Sequence, residues 1–316
     1  MAALLSGAVY GASTIAAGVY LPSTIINQFK FQDWHMLQTS LGAVASSACG
    51  YVKLKPRSSS PIGLFGQYDG NVIGGFLLGA GMALSGSCPG TLFAQVGAGL
   101  RTGLYTLGGA ILGGLAYTGY VAQAARNQRE KAGVQPETVT LDENLRLSQD
   151  TTVVVFETVC LSVIGASVAY TTGSDWSLFS AGGGLFIGLS QLFSIIIRRS
   201  MIGISGSYEE VGNHFWWLTR GAAWPSSRQN TLFAVGMTTG AWALTKVFPS
   251  FVTDRVIETE PLLAGIGGFL MIVGSRLAGG CPSGHGVSGL SLMSTSSLVT
   301  MSTVFAAGSL IAPLFH

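Results

Sequence analysis

Nine apolar stretches, each long enough to cross a lipid bilayer as a helix, occupy most of this chain of 316 residues. They run approximately over 4–28, 35–52, 70–87, 103–124, 151–172, 178–197, 230–249, 261–278 and 296–314. A hydrocarbon core of roughly 30 Å needs about 20 apolar residues at the helical rise. Charged residues make up only 9% of the chain, against roughly 25% in an ordinary soluble domain, and 48% are hydrophobic. Such a surface could not be solvated. The expectation is an all-α, polytopic membrane protein of about nine transmembrane helices, with 45 glycines that let helix backbones approach closely in lipid.

Between the spans lie apolar pieces near 90–100, 207–219 and 284–292, too short to cross and too apolar for solvent. They read as half-helices or re-entrant hairpins. The N-terminal run from Ala2 to Ile26 lacks a basic leader and continues as a plausible first span, so it is expected to be retained. Ala125 to Asp150 is the aqueous segment, gathering Arg126, Arg129, Glu130, Lys131, Glu137, Asp142, Glu143 and Asp150. It divides the chain into a first membrane half, 1–122, a hydrophilic linker, 123–149, and a second half, 150–316. With the N-terminus inside, ten loop cations (Lys53, Lys55, Arg57, Arg126, Arg129, Lys131, Arg146, Arg198, Arg199 and Arg228) fall on the cytoplasmic side. Three (Lys30, Lys246 and Arg255) fall outside, as the positive-inside rule requires.

The halves repeat one another. Residues 74–89 read GGFLLGAGMALSGSCP and residues 267–282 read GGFLMIVGSRLAGGCP, with nine of sixteen positions identical at a constant offset of 193. Glycine richness inflates such matches, but it does not carry a Cys-Pro pair to the same offset. Five crossings separate the two segments, so they are expected to run in opposite directions as an inverted-topology repeat.

Each repeat ends in a break: Gly86-Ser87-Cys88-Pro89-Gly90, then Gly279-Gly280-Cys281-Pro282-Ser283-Gly284-His285. Proline disfavours helical geometry in the residue before it and glycine permits unusual backbone, so the helix is expected to stop at the cysteine. Irregular backbone at membrane depth must be buried in protein or line a polar cavity. Two antiparallel breaks would bring Cys88 and Cys281 toward one central path, and a half-helix starting after proline offers free N–H groups to an anion. The candidate pathway residues are Ser87, Cys88, Pro89, Gly90, Gly280, Cys281, Pro282, Gly284 and His285. A thiol is a soft, weak S–H donor suited to a polarisable sulphur acceptor. No basic residue lies within three positions of either cysteine, and a weak site is what conduction needs.

These features resemble the YeeE/YedE sulphur-transport family, whose bacterial members include thiosulfate permeases. The resemblance covers most of the chain. It implies a permease passing thiosulfate or a closely related sulphur-containing anion along a central path by cysteine S–H groups, here Cys88 and Cys281. Bacterial relatives carry a further pathway cysteine in the first helix; here the stretch from Gly11 to Tyr20 has none.

Other readings remain at this level. His285 lies four residues after Cys281, so a membrane thiol enzyme using the two for sulphur transfer is an alternative, although the equivalent residue of the first repeat is Leu92. A Cys88–Cys281 redox pair and a transporter of another small inorganic anion are further alternatives. Cys49 and Cys160 read as packing residues, Arg101 and Arg276 as snorkelling cations, and Glu209 and Glu210 as a gate or a helix-start charge. A net charge of +2 with dispersed cations gives no nucleic-acid surface, and the four cysteines have no metal-type spacing. No GxxxxGK[ST] loop is present, so no nucleotide or other cofactor is expected. The expected partners are the anion, the lipid bilayer of a cell membrane and, left open, a soluble sulphur-transfer protein.

Overall fold

The computed structural model describes residues 1–51, 63–133, 139–170, 177–221, 224–225, 227–251 and 258–316, with the side chains of 48–51 and 177–181 left aside. Lys53, Lys55, Arg57, Glu137 and Arg255, and the side chain of Cys49, lie outside what is described. Fourteen α-helices account for most of the described residues, which contain no β-strand. They are α1 (Ala2–Ala16), α2 (Pro22–Phe29), α3 (His35–Tyr51), α4 (Asp69–Ser85), α5 (Leu92–Gly97), α6 (Arg101–Ala116) and α7 (Ala122–Ala132). After the linker come α8 (Leu141–Leu145), α9 (Gln149–Tyr170), α10 (Ser177–Arg198), α11 (Gly206–Arg220), α12 (Gln229–Val247), α13 (Pro261–Leu277) and α14 (Thr295–Phe315). A π-helical turn, Tyr117–Val121, joins α6 to α7, and another, Ser283–Gly289, precedes α14.

The run 4–28 expected as one span is two helices. Gly18 takes a left-handed φ of 70° and Pro22 occupies the first turn of α2, so the chain turns over Ala17–Leu21. Apolar residues on both sides of the turn hide it from a hydropathy reading. The short pieces appear where expected, as α5, α11 and the second π-helical turn. Both repeat helices end before the cysteine, at Ser85 and Leu277, because Gly86 (φ 61°) and Gly279 (φ 85°) adopt the left-handed conformation that closes a helix. The helix expected over 103–124 runs further, from Arg101 through the π-helical turn and α7 to Ala132.

Among the described residues two helices, Gln149–Tyr170 and Thr295–Phe315, are individually long and apolar enough to cross a bilayer. On α9, Val154, Val155, Val159 and Leu161 are all exposed, an apolar face that water would not tolerate over such a length.

Glycine contacts set the helix pairing. Gly7 and Gly11 of α1 lie against Phe233 and Met237 of α12, while Gly236 and Gly240 lie against Leu4 and Ala8, so α1 and α12 run parallel. The same reasoning makes α3 and α10 parallel (Gly184 on Thr39, Gly188 on Ala43), α6 and α13 parallel (Gly109 on Gly265, Gly113 on Phe269), and α4 and α14 parallel (Gly75 on Thr300, Gly79 on Val304). In contrast, α4 and α13 cross antiparallel: Gly74 meets Gly274, and a Cβ on Gly267 would stand 2.7 Å from the Gly81 carbonyl oxygen. In lipid, where apolar burial gives no net drive, dispersion between such close backbones holds helices together.

Candidate functional site

When α4 and α13 stop early, their last carbonyls lose intrahelical partners, and buried carbonyls need replacements. At the first break the replacement is Gln95 of α5. Its Nε2 donates to the carbonyls of Gly86 (3.0 Å) and Tyr20 (2.9 Å), while its Oε1 accepts from the Ser87 hydroxyl. At the second break Ala278 O receives Asn71 Nδ2 (3.0 Å) and His285 Nε2 (3.1 Å). A carbonyl only accepts, so Nε2 carries the hydrogen and Nδ1 accepts from the Ser297 hydroxyl at 2.9 Å. Both ring nitrogens are therefore engaged, and the ring packs beneath Gly280, where a Cβ would stand 2.9 Å from it. His285 has no nitrogen left with which to take a proton from Cys281.

Each thiol is paired with a hydroxyl. Thr91 Oγ1 lies 3.3 Å from Cys88 Sγ and also accepts from the Cys88 amide at 3.2 Å. Cys281 Sγ lies 3.1 Å from Ser283 Oγ. Both cysteines are free and buried, as is Cys160.

The two breaks meet. A Cβ on Gly90 would stand 3.1 Å from Ser283 Cβ and Oγ and 3.4 Å from the Tyr10 hydroxyl. Tyr10, on α1, hydrogen-bonds Ser283 and lies within electrostatic reach of both Cys88 and Cys281. Tyr208, at the start of α11, is also within reach of both thiols. Its ring stacks on Phe93 of α5 at 5.4 Å between centroids. The structure thus sets Gly90 against Ser283 and brings Cys88 and Cys281, 193 residues apart in sequence, within electrostatic reach of each other, and adds four residues the sequence reading did not single out: Tyr10, Thr91, Tyr208 and Ser283.

A model of the sulphur transport family matches residues 16–311, a stretch that includes both breaks. The chain belongs to the sulphur transport family. It is 26% identical over 319 aligned residues to the thiosulfate transporter TsuA of Spirochaeta thermophila (strain ATCC 700085 / DSM 6578 / Z-1203), covering 93% of this chain and 92% of that protein. It is also similar to a probable transporter of Xylella fastidiosa (strain Temecula1 / ATCC 700964), 32% identical over 126 residues, 40% of this chain and 85% of that protein. A probable transporter from strain 9a5c of the same organism is 30% identical over the same extent. As a sulphur transport family member the chain is a membrane transport protein, in keeping with the transporter names of these relatives.

The remaining candidates have structural roles. Glu210 accepts from Ser227, Asn230 and Thr231, including the backbone amides of Asn230 and Thr231 at 3.2 and 2.8 Å, and so caps the start of α12. Glu209 forms an ion pair with Arg276. Glu209 also lies in the first turn of α11, the helix-start position expected for it. Arg101 is exposed at the start of α6. Groups of three or more His, Cys, Asp or Glu that could hold a metal are absent among the described residues.

Proposed function

We propose that this chain is a multi-pass permease that passes thiosulfate, or a closely related sulphur-containing anion, across a cell membrane by way of Cys88 and Cys281. The observation that carries the reading is the junction of the two breaks, where Gly90 faces Ser283 beneath the Tyr10 hydroxyl. A buried meeting point of two thiols, each backed by a hydroxyl and free of fixed charge, suits an ion that must be bound weakly enough to leave. The half-helices beyond the breaks are short, α5 having six residues and the π-helical turn seven. On this reading the hydroxyls of Thr91 and Ser283, more than helix N-termini, orient the thiols toward the passing anion.

Nine crossings (α1, α3, α4, α6, α9, α10, α12, α13 and α14) in two inverted halves, 1–122 and 150–316, with the linker 123–149 between them, form the scaffold in this proposal. Its support is an exchange of partners. At an offset of 193, α3 corresponds to α12, α4 to α13 and α6 to α14; α1 and α10 occupy matching places before them. The parallel pair α1 and α12 then has its counterpart in α10 and α3, and α6 with α13 has its counterpart in α14 with α4. The equivalent helices α4 and α13 cross antiparallel, as inversion demands. Around α11 and the start of α12, Arg220 lies over Trp216 at 3.9 Å and Arg228 over Trp224 at 4.7 Å, the aromatic and cationic mixture of a membrane interface. With Arg198 and Arg199 nearby in sequence, this is the cytoplasmic face in the proposed orientation.

The thiol-enzyme alternative is disfavoured by the engaged ring of His285. The deciding measurement is uptake of labelled thiosulfate by purified protein in liposomes, competed with sulfate and sulfite. Cys88→Ala and Cys281→Ala are each expected to abolish uptake while leaving folded protein in the bilayer. Undiminished uptake by both would overturn the thiol path, and a strong preference for sulfate, which presents only hard oxygens, would overturn the substrate.

A further inference from the structure

Tyr208 carries a buried cost with no visible return. Its side chain is 2% exposed, and its hydroxyl has no hydrogen-bond partner among the described residues. A buried hydroxyl left without a partner is destabilising. The position is nonetheless well determined. The ring stacks on Phe93 of α5, the element that follows the first break. The backbone carbonyl of Tyr208 packs against Gly114 of α6, where a Cβ would stand 2.6 Å away. Tyr208 shares a core cluster with Cys88, Leu92, Met271 and Ile272. Tyr10, the other tyrosine beside the thiols, differs because its hydroxyl is already engaged by Ser283. Phenylalanine would fill the Tyr208 site equally well, so packing does not account for the hydroxyl.

We infer that the Tyr208 hydroxyl is the oxygen-recognising donor of the central site: it hydrogen-bonds the oxyanion end of the passing ion while the thiols of Cys88 and Cys281 meet its sulphur end. The inference rests on the proposed thiosulfate path and adds to it a division of labour. An O–H group is a hard, directional donor matched to sulfonate oxygens, and S–H is soft and weak. A site with both reads both ends of an ion that has an oxygen-bearing and a sulphur end. It would hold sulfate and a simple sulphide-like anion each by one end only. Tyr208 is thereby a specificity-determining residue contributed by α11, outside the repeated motif and without a matching tyrosine in the first half.

The test uses the full-length protein, as parent and as Tyr208→Phe, which keeps the ring and removes only the donor. In liposomes, Tyr208→Phe is expected to raise the KM for thiosulfate about tenfold or more, the loss of one hydrogen bond to a charged group. Sulfate competition should weaken in the same variant. A residue with a merely structural role would move neither selectivity nor ligand-linked stability. The thermal midpoint of detergent-solubilised Tyr208→Phe without thiosulfate should equal or exceed that of the parent, because an unpaired polar atom has gone, while the upward shift on adding thiosulfate should shrink. Parent-like KM, competition and ligand-induced shift would overturn the inference, and so would a variant less stable than the parent without ligand. If the parent itself neither transports thiosulfate nor is stabilised by it, the underlying function reading fails instead, and the two failures are told apart by that control.

Discussion

The two breaks carry the same Gly-x-Cys-Pro signature, yet they are built to different tightness. Around Cys88 every residue from Ala80 to Leu92 is buried, and Gln95 ties the irregular backbone to the Ala17–Leu21 turn through Tyr20 O as well as to its own helix end at Gly86 O. Around Cys281 the chain is more open: Gly279 is exposed and Gly280 and Gly284 are half-buried, and the carbonyl of Ala278 is shared between His285, which also meets Ser297, and Asn71 of α4. The fastening residues are not equivalents, since Leu92 stands at the first-half position of His285 and Ser288 at the second-half position of Gln95. What repeats is the need to satisfy orphaned carbonyls at depth; how each half meets it is not repeated.

The comparison is most severely strained by Gln95→Leu. The change removes the donor serving two buried carbonyls and the acceptor of Ser87 in one step, with no solvent to replace them. At about 1–3 kcal/mol for each orphaned group, the expected loss is about 3 kcal/mol or more, enough to remove most folded protein from the membrane. Folded yield and thermal midpoint in detergent measure it. A stable, active Leu variant would show that the first break does not depend on this clamp.

His285→Gln tests the looser break and is expected to do less. Asn71 still serves Ala278 O, and a glutamine amide can donate to the same carbonyl. Destabilisation of about 1–2 kcal/mol is expected, with uptake per folded molecule close to that of the parent. A folded protein that has lost all uptake would revive His285 as a chemical participant and remove the contrast between the two breaks.

These differences mark where sequence reasoning reaches its limit. The breaks themselves are legible because glycine and proline act on their own backbone, and a constant offset links Gly74 to Gly267 and Cys88 to Cys281 without any three-dimensional knowledge. The short apolar pieces that became α5 and α11 are legible for the same local reason, as lengths too small to cross. The split of the first run into α1 and α2 is hidden even though Gly18 and Pro22 stand in the sequence, because the residues around them are largely apolar and hydropathy averages over the turn. Tyr10 and Tyr208 were illegible in a stronger sense. Nothing in Gly206-Ser207-Tyr208 distinguishes a packing tyrosine from one beside the thiols; the distinction is an unpaired hydroxyl, which exists only once α5, α6 and α11 are assembled. His285 is the intermediate case: four residues after a cysteine it offers a base, near a helix start it offers a structural hydrogen bond, and only the assembled structure shows both its nitrogens engaged.

The smallest effect on stability, and the sharpest on geometry, belongs to Gly90→Ala. Gly90 does not need glycine for its backbone, since its φ is not among the positive ones; it is constrained by what stands opposite. The added methyl would meet Ser283 Cβ and Oγ at 3.1 Å and the Tyr10 hydroxyl at 3.4 Å, tight enough that Ser283 must give by a few tenths of an ångström. Ser283 is the hydroxyl beside Cys281, so a methyl placed on the first break displaces the donor pair of the second. Stability should change by less than about 1 kcal/mol, because the contact is a shift of one side chain and leaves the helix clamps intact. Uptake should fall several-fold, with the maximal rate affected more than the KM for thiosulfate if the junction is the narrowest point of the path. A parent-like maximal rate would mean that the ion passes elsewhere, whereas a restoration of rate in Gly90→Ala combined with Ser283→Gly would show that the two breaks act on the ion as one constriction.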